Sequence, residues 1–187
     1  MVSIAALWLP ILVAAVLVFF ASYATHMLLG YHANDYRKVP SEDAVMDALR
    51  SFNLASGDYH MPRPSSPAAM KNPDFIAKRD KGPVAFMTII PPGATAMGTR
   101  LAYWFSFSLV VGLFAAYLTS RALPAGAPYM DVFRFASTVA FIGYGLAQWE
   151  NTIWHGRAWQ TTAKNTFDAL IYGLLTGGAF GWLWPNV

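Results

Sequence analysis

Apolar residues are concentrated in four long stretches of the chain, and a mainly polar stretch follows the first of them. The apolar stretches cover residues 4–30, 101–120, 129–149 and 167–185. An α-helix needs about 20 residues to cross the ~30 Å hydrocarbon core of a bilayer, and each stretch is close to that length or longer. The pattern therefore predicts an all-α integral membrane protein with four transmembrane helices.

The predicted elements form one domain, with a small cytoplasmic cap between helices 1 and 2. We assign transmembrane helix 1 to residues 1–30, the cap to 31–99, and helices 2, 3 and 4 to 100–122, 128–155 and 162–185. The first segment has no basic residue at its start, and its apolar run exceeds the ~7–15 residues of a signal peptide. We therefore expect it to remain as a span.

The cap is predicted to contain short amphipathic helices. Ser41 is a suitable N-cap for a helix over 42–52, and a second short helix is predicted to begin at Pro73. The segment GPVAFMTIIPPG is too short to span a membrane, so it either lies in the interface or forms an extended strand. The turn-rich segment LASGDYHMPRPSSP is predicted to be irregular.

Composition and charge agree with a membrane location. Charged residues make up 12% of the chain, about half the usual share in soluble domains, and aromatic residues make up 16%. Most Lys and Arg residues lie in the polar stretch or between helices 3 and 4, which predicts that this side is cytoplasmic. The protein is thus expected in a bacterial inner membrane with both termini periplasmic, in contact with membrane lipids and not with nucleic acid. The absence of cysteine excludes disulfides and thiol chemistry.

This topology places several ionisable side chains at one level, near the cytoplasmic ends of the helices. The candidates for acid–base chemistry are Asp168, Glu150, His155, His26 and Arg100. Asp168 is the most informative, because a carboxylate inside an apolar span should face other helices and find a partner, either Arg100 or His26. The cluster is interpreted either as a polar pocket or as a network that fixes the register of the helices.

The sequence predicts no metal site and no cofactor. Histidine pairs that bind metal on one helix face are three or four residues apart, and the four histidines, at 26, 32, 60 and 155, contain no such pair. They could still converge in space. The centres of the four spans carry no formal charge, which argues against an ion pump or channel.

Small and aromatic residues indicate how the helices pack and where they end. Gly173, Gly177 and Gly181 recur every four residues, a spacing that allows close helix packing, either within the chain or with another subunit. Tryptophans are predicted to anchor the spans at the two interfaces, with Trp149, Trp154 and Trp159 on the cytoplasmic side and Trp182 and Trp184 on the outer side.

Four segments together resemble a family of uncharacterised bacterial four-span inner-membrane proteins. They are YHANDYRKVPSEDAVMDALR, GPVAFMTIIPPG, MGTRLAYWF and FDALIYGLLTGGAFGWLWP. The resemblance extends over nearly the whole chain. It implies four spans and an envelope location, and it implies no activity and no catalytic residue.

Two functions are compatible with these observations. The first is a non-catalytic accessory or scaffolding protein that packs against itself or against a larger membrane complex, and it is favoured by the glycine spacing and the uncharged span centres. The alternative is a small membrane enzyme or binding protein for a lipid-like or quinone-like molecule at the cytoplasmic leaflet. A cavity that reaches Asp168 would favour the alternative, whereas a filled core with Asp168 paired to Arg100 would favour the scaffold.

Overall fold

The computed structural model describes residues 2–93 and 96–186, which fold as two compact units. The first unit combines residues 2–36 with 96–186 and is helical. The second comprises residues 37–93 and contains short helices and a two-stranded antiparallel sheet. Residues 31–36, assigned to the cap from sequence, thus fold with the helical unit.

The helical unit contains five α-helices and two π-helical turns in its described residues. Its α-helices are α1 (Trp8–Tyr23), α4 (Met97–Ala122), α5 (Tyr129–Phe141), α6 (Gln148–His155) and α7 (Trp159–Trp182). A 3-10 turn at Ile4–Leu7 precedes α1, and π-helical turns at Ala24–Leu28 and Ile142–Leu146 follow α1 and α5. Each π turn is one wide i→i+5 turn, so both helix extensions change their path before they end.

Four of these helices pack around a core of mainly small side chains. Helix α1 contacts α4 and α7, and α5 also contacts α4 and α7. The fully buried positions include Ala115, Ala116, Ala136 and Ala140, with Phe180 as the largest buried side chain. Small residues at the contacts allow the helix backbones to approach closely, whereas many of the larger apolar side chains of these helices are exposed.

Three of the four glycines of α7, Gly173, Gly177 and Gly181, pack closely against α5. A Cβ atom added at Gly177 would lie 2.7 Å from the carbonyl oxygen of Phe133. Added Cβ atoms at Gly173 and Gly181 would lie 2.9 Å from the Ser137 carbonyl oxygen and 2.7 Å from the Tyr129 ring. The close-packing surface predicted from the spacing is therefore filled by the same chain.

Among the described residues, two helical segments are long and apolar enough to cross a membrane. They are Ile4–Leu28 and Met97–Ala122, and in each only 28% of the most apolar 18-residue window is buried. Helix α7 is long enough but not apolar enough, because threonine, glycine, Lys164 and Asp168 lower its mean hydropathy. The third predicted span is divided, since α5 ends at Phe141 and a π turn separates it from α6.

The second unit is built from α2 (Glu42–Ser51), β1 (Gly57–Met61), α3 (Pro73–Lys81) and β2 (Ala85–Ile89). Both short helices begin where the sequence predicts, although the Ser41 side chain does not cap α2. Strand β2 pairs antiparallel with β1, with Gly57 opposite Ile89. The segment GPVAFMTIIPPG therefore supplies a strand, and part of the segment expected to be irregular supplies its partner.

The tryptophans predicted as interfacial anchors fall into two groups. Trp154, Trp159 and Trp182 are exposed, whereas the Trp149 indole nitrogen donates a hydrogen bond to Thr166. Trp184 differs from the prediction, because it is only 6% exposed and its Nε1 donates to the carbonyl oxygen of Pro124 at 2.9 Å. It closes one end of the core.

Candidate functional site

Asp168 lies at the centre of a buried polar cluster between α7 and the residues that follow α1. Its carboxylate is 2% exposed. The Tyr31 hydroxyl donates a hydrogen bond to Oδ1, and His32 Nε2 lies 2.8 Å from Oδ2. His26 Nε2 lies 3.9 Å from the same Oδ2. A buried carboxylate requires such partners, because burying it alone would cost several kcal/mol.

His32 connects two carboxylates. Its Nδ1 lies 2.6 Å from Oδ2 of Asp35, and its Nε2 faces Asp168. Lys164 Nζ donates to Oδ1 of Asp35 at 2.7 Å and to the Tyr31 carbonyl oxygen at 2.6 Å. Because Lys164 and Asp168 are both in α7, one helix holds the turn after α1 at two points.

His26, which lies in the π turn at Ala24–Leu28, packs beside His32. The two imidazole rings are stacked, with centroids 4.3 Å apart and ring planes 1° apart. His26 Nδ1 lies 3.1 Å from the Ser22 carbonyl oxygen and 3.0 Å from the Thr25 hydroxyl. The carbonyl oxygen can only accept, so its contact favours the tautomer with the hydrogen on Nδ1 and the lone pair on Nε2, the atom that faces Asp168.

The electrostatics of the turn keep Tyr31 protonated and Asp35 ionised. Burial raises the pKa of the Tyr31 phenol well above its usual range, and the hydrogen bond to Asp168 and its charge add to this. Burial alone would raise the pKa of Asp35, but hydrogen bonds from Lys164 and His32 outweigh it and lower the pKa below its ordinary value. Tyr31 is therefore a hydrogen-bond donor, and Asp35 is an acceptor.

A cavity of about 330 Å³ opens beside Asp168. Its polar lining comes from His26, Asp168, Gln148, Asn151 and Asn165, and its aromatic lining from Trp104, Phe107, Tyr144 and Tyr172. The Asn165 amide donates to Gln148 at 2.9 Å, which fixes part of this wall. This volume is within the usual range for small-molecule sites.

A second cavity of about 490 Å³ has a mainly apolar lining. It is formed by Phe19, Phe20, Ser22, Tyr23, His26, Met27, Leu101 and Trp104. His26 and Trp104 line both cavities, and Trp104 Nε1 donates to Ser22 Oγ at 2.8 Å. The polar and apolar cavities therefore adjoin the same two side chains.

The structure separates the five predicted site residues into two groups. Asp168 and His26 belong to the cluster, as their predicted proximity requires. Arg100 is exposed in the first turn of α4, and the Asp168 carboxylate is instead held by Tyr31 and His32. Glu150 and His155 are exposed on α6 and line neither cavity.

Tyr31 and Asp35 are functional candidates that the sequence does not single out, and it places His32 only at the same level as Asp168. All three lie in a turn, where no periodicity indicates which way a side chain points. Their close spacing in YHAND is the available signal. The contacts that Lys164 of α7 makes with this turn bring its side chains close to Asp168.

Comparison with known proteins finds no family model, no curated protein and no solved structure that matches the chain.

Proposed function

We propose that this chain is a four-span inner-membrane protein that binds a quinone-like molecule at the cytoplasmic leaflet. The observation that carries the proposal is the pair of cavities that share His26 and Trp104, one polar and aromatic, the other apolar. An amphipathic ligand needs such a pair, because its head requires hydrogen-bond partners and its tail requires apolar contacts.

The membrane location is supported by where the large apolar side chains lie. Phe20 is 65% exposed on α1, and Phe114 is 59% exposed on α4. In water such surfaces would promote association, whereas lipid chains solvate them. Helices α1 and α4 are the two apolar segments, and in this proposal α5–α6 and α7 complete a four-helix bundle against them. The distribution of Lys and Arg then favours periplasmic termini.

The polar cavity suits a neutral ring better than a phosphate. Among the described residues, its lining contains the Asp168 carboxylate and no Lys or Arg. A phosphate would meet a negative charge there without a cation to offset it. A quinone head would instead stack on the aromatic rings, such as Trp104 and Tyr144, and accept hydrogen bonds from the amide of Gln148 or Asn151.

The apolar cavity suits a hydrocarbon tail. Phe20 and Met27, which line it, are also strongly exposed on the outer face of the helical unit. A tail in this groove would therefore be in contact with the surrounding lipid chains. This arrangement would let a membrane-dissolved molecule enter sideways without crossing water.

The scaffolding function stays a prediction, but the glycine spacing that favours it no longer points to another subunit. The glycines of α7 were expected to contact either this chain or another subunit, and they contact α5. No other feature of the described residues selects a protein partner over lipid. The cavity that reaches Asp168 is the feature that favours a bound small molecule.

The test is binding of a short-tailed benzoquinone to the full-length chain in lipid nanodiscs. Quinones quench tryptophan fluorescence on contact, so bound quinone should quench Trp104 in a saturable way. Ala147→Phe adds a ring at a residue that lines the polar cavity, and we expect it to weaken binding about tenfold or more. Ala125→Phe, at an exposed turn, is the matched control.

Three outcomes would contradict the proposal. One is non-saturable quenching, which indicates partition into the lipid alone. Another is equal affinity in wild type and Ala147→Phe. The third is displacement of the quinone by an excess of anionic phospholipid, which would show that the cavity binds phosphate head groups.

A further inference from the structure

We propose that His26, His32 and Asp168 bind a divalent transition-metal ion of the Zn²⁺ or Fe²⁺ class. One ligand atom from each of these three residues lies within 4.8 Å of the other two. His32 Nε2 and His26 Nε2 are 2.8 and 3.9 Å from Oδ2 of Asp168. The metal site does not depend on the proposed quinone, and it would exist in a protein that binds none.

The hydrogen bonds around the two histidines prepare both Nε2 atoms as ligands. His26 Nδ1 lies 3.1 Å from the Ser22 carbonyl oxygen, and His32 Nδ1 lies 2.6 Å from the Asp35 carboxylate. Histidines that bind metal commonly donate their second ring N–H to a carbonyl or a carboxylate, which fixes the tautomer and orients the ring. Both forms of this support are present here, one on each histidine.

The carboxylate is prepared in a similar way. The Tyr31 hydroxyl donates to Oδ1 of Asp168, so Oδ2 is the oxygen that faces the two imidazoles. Lys164 holds the Asp35 carboxylate and the Tyr31 carbonyl oxygen from the other side. Tyr31 therefore supports the Asp168 carboxylate, and the Asp35–Lys164 pair supports His32.

The separations are close to those of a bound state. Zn²⁺ ligand atoms lie about 2.0–2.2 Å from the ion, so two ligands of one ion are roughly 3–3.5 Å apart. The observed 2.8 and 3.9 Å lie on either side of that range. A hydrogen bond joins His32 Nε2 to Oδ2 of Asp168. A bound ion would replace the hydrogen of this bond. The parallel rings must also tilt, and His26, whose side chain is 48% exposed, has room to do so.

The ligand set selects the class of ion and leaves coordination positions open. Imidazole nitrogen with carboxylate oxygen suits Zn²⁺ or Fe²⁺, whereas Mg²⁺ and Ca²⁺ prefer oxygen ligands alone. Three protein ligands leave at least one position for water or for a bound molecule. His26 and Asp168 also line the 330 Å³ cavity, so this position would face the cavity.

The test is metal binding by the untagged full-length chain in detergent, after removal of metal with a chelator and without quinone. Titration with Zn²⁺, followed by calorimetry and by elemental analysis after dialysis, should give one ion per chain. Co²⁺ should produce visible absorption bands that report a nitrogen–oxygen site, and Mg²⁺ should not compete. His26→Ala and His32→Ala should each weaken Zn²⁺ binding by a hundredfold or more. Asp35→Asn, which changes only the support of His32, should weaken it about ten- to a hundredfold.

His60→Ala is the matched control, because His60 lies in β1 and is stacked on Phe86 instead. Unchanged Zn²⁺ affinity in folded His26→Ala, or absence of stoichiometric binding in the folded wild type, would overturn the metal site. Asp168→Asn is not used in this test, because it removes a buried partner of the cluster and lowers stability as well as removing a ligand. Ala147→Phe separates the two proposals: it should lose quinone and keep Zn²⁺, whereas the His26 and His32 variants should lose Zn²⁺ whether or not quinone binds.

Discussion

The imidazole ring of His26 lies parallel to that of His32, at a centroid distance of 4.3 Å. Each ring is held from a different direction, His26 by a carbonyl of its own helix and His32 by two carboxylates. His32 therefore bridges the carboxylates of Asp35 and Asp168, whereas His26 faces Asp168 from the exposed side of the cluster.

We predict that Asp168→Asn lowers the free energy of unfolding by about 3 kcal/mol, because it removes one partner of a buried, hydrogen-bonded charge cluster. Thermal unfolding in detergent measures this change. Asp131→Asn is the control within the same unit, since the pair of Asp131 with Arg134 is exposed at 3.6 Å and should contribute less than about 1 kcal/mol. Equal losses in the two variants would contradict the prediction.

Replacement of Lys164 by Met should loosen the turn that carries His32. Lys164 Nζ makes two short hydrogen bonds to this turn, at 2.6 and 2.7 Å, and their loss costs about 2 kcal/mol locally. Amide hydrogen exchange at Ala33 and Asp35, whose N–H groups bond within the turn, should accelerate roughly thirtyfold. Lys78→Met, at an exposed position of α3, should leave these rates unchanged.

The glycines of α7 offer a matched pair of substitutions one residue apart. Gly177→Ala places a Cβ 2.7 Å from the Phe133 carbonyl oxygen and should destabilise the protein by about 1–3 kcal/mol. Gly178→Ala meets its nearest atom, the Tyr129 hydroxyl, at 3.9 Å and should be neutral or stabilising, because alanine favours helix. Chemical or thermal unfolding of both variants tests the assignment, which fails if Gly178→Ala is the more damaging.

The proposed topology can be tested with single cysteines, because the chain contains none. In intact bacterial cells, a membrane-impermeant maleimide should label Ala125→Cys and Asn186→Cys, which lie in exposed segments expected on the periplasmic side. Ser66→Cys, in the second unit, should react only after the membrane is permeabilised. Labelling of Ser66→Cys in intact cells, or of only one of the two outer positions, would contradict the four-span arrangement.

The sequence predicts the helices and their contacts better than the site. Gly173, Gly177 and Gly181 indicate a close-packed surface because their spacing follows the helical repeat. Asp168 is conspicuous because an apolar stretch surrounds it. The boundaries of the third span are less well predicted, since a run of apolar residues does not reveal the π turn at Ile142–Leu146.

The site is only partly predictable, for a physical reason. The predicted order of the spans gives an expected level for each charged residue, but not its direction around the helix axis. Glu150 and Arg100 were therefore grouped with Asp168 although both point outward. His32 was not selected as a partner, because its position depends on a turn held by tertiary contacts and not by any periodic pattern.

The π turn at Ala24–Leu28 has a consequence for where His26 points. A regular α-helix rotates by about 100° per residue, whereas a π turn rotates by less. His26 is therefore rotated less far around the helix axis than it would be in a regular α-helix. Deletion of Ala24, which would restore the regular helical spacing, is expected to change the direction of the imidazole about the helix axis without changing its chemistry. The geometry of the histidine pair is thus set by a phase shift in the backbone.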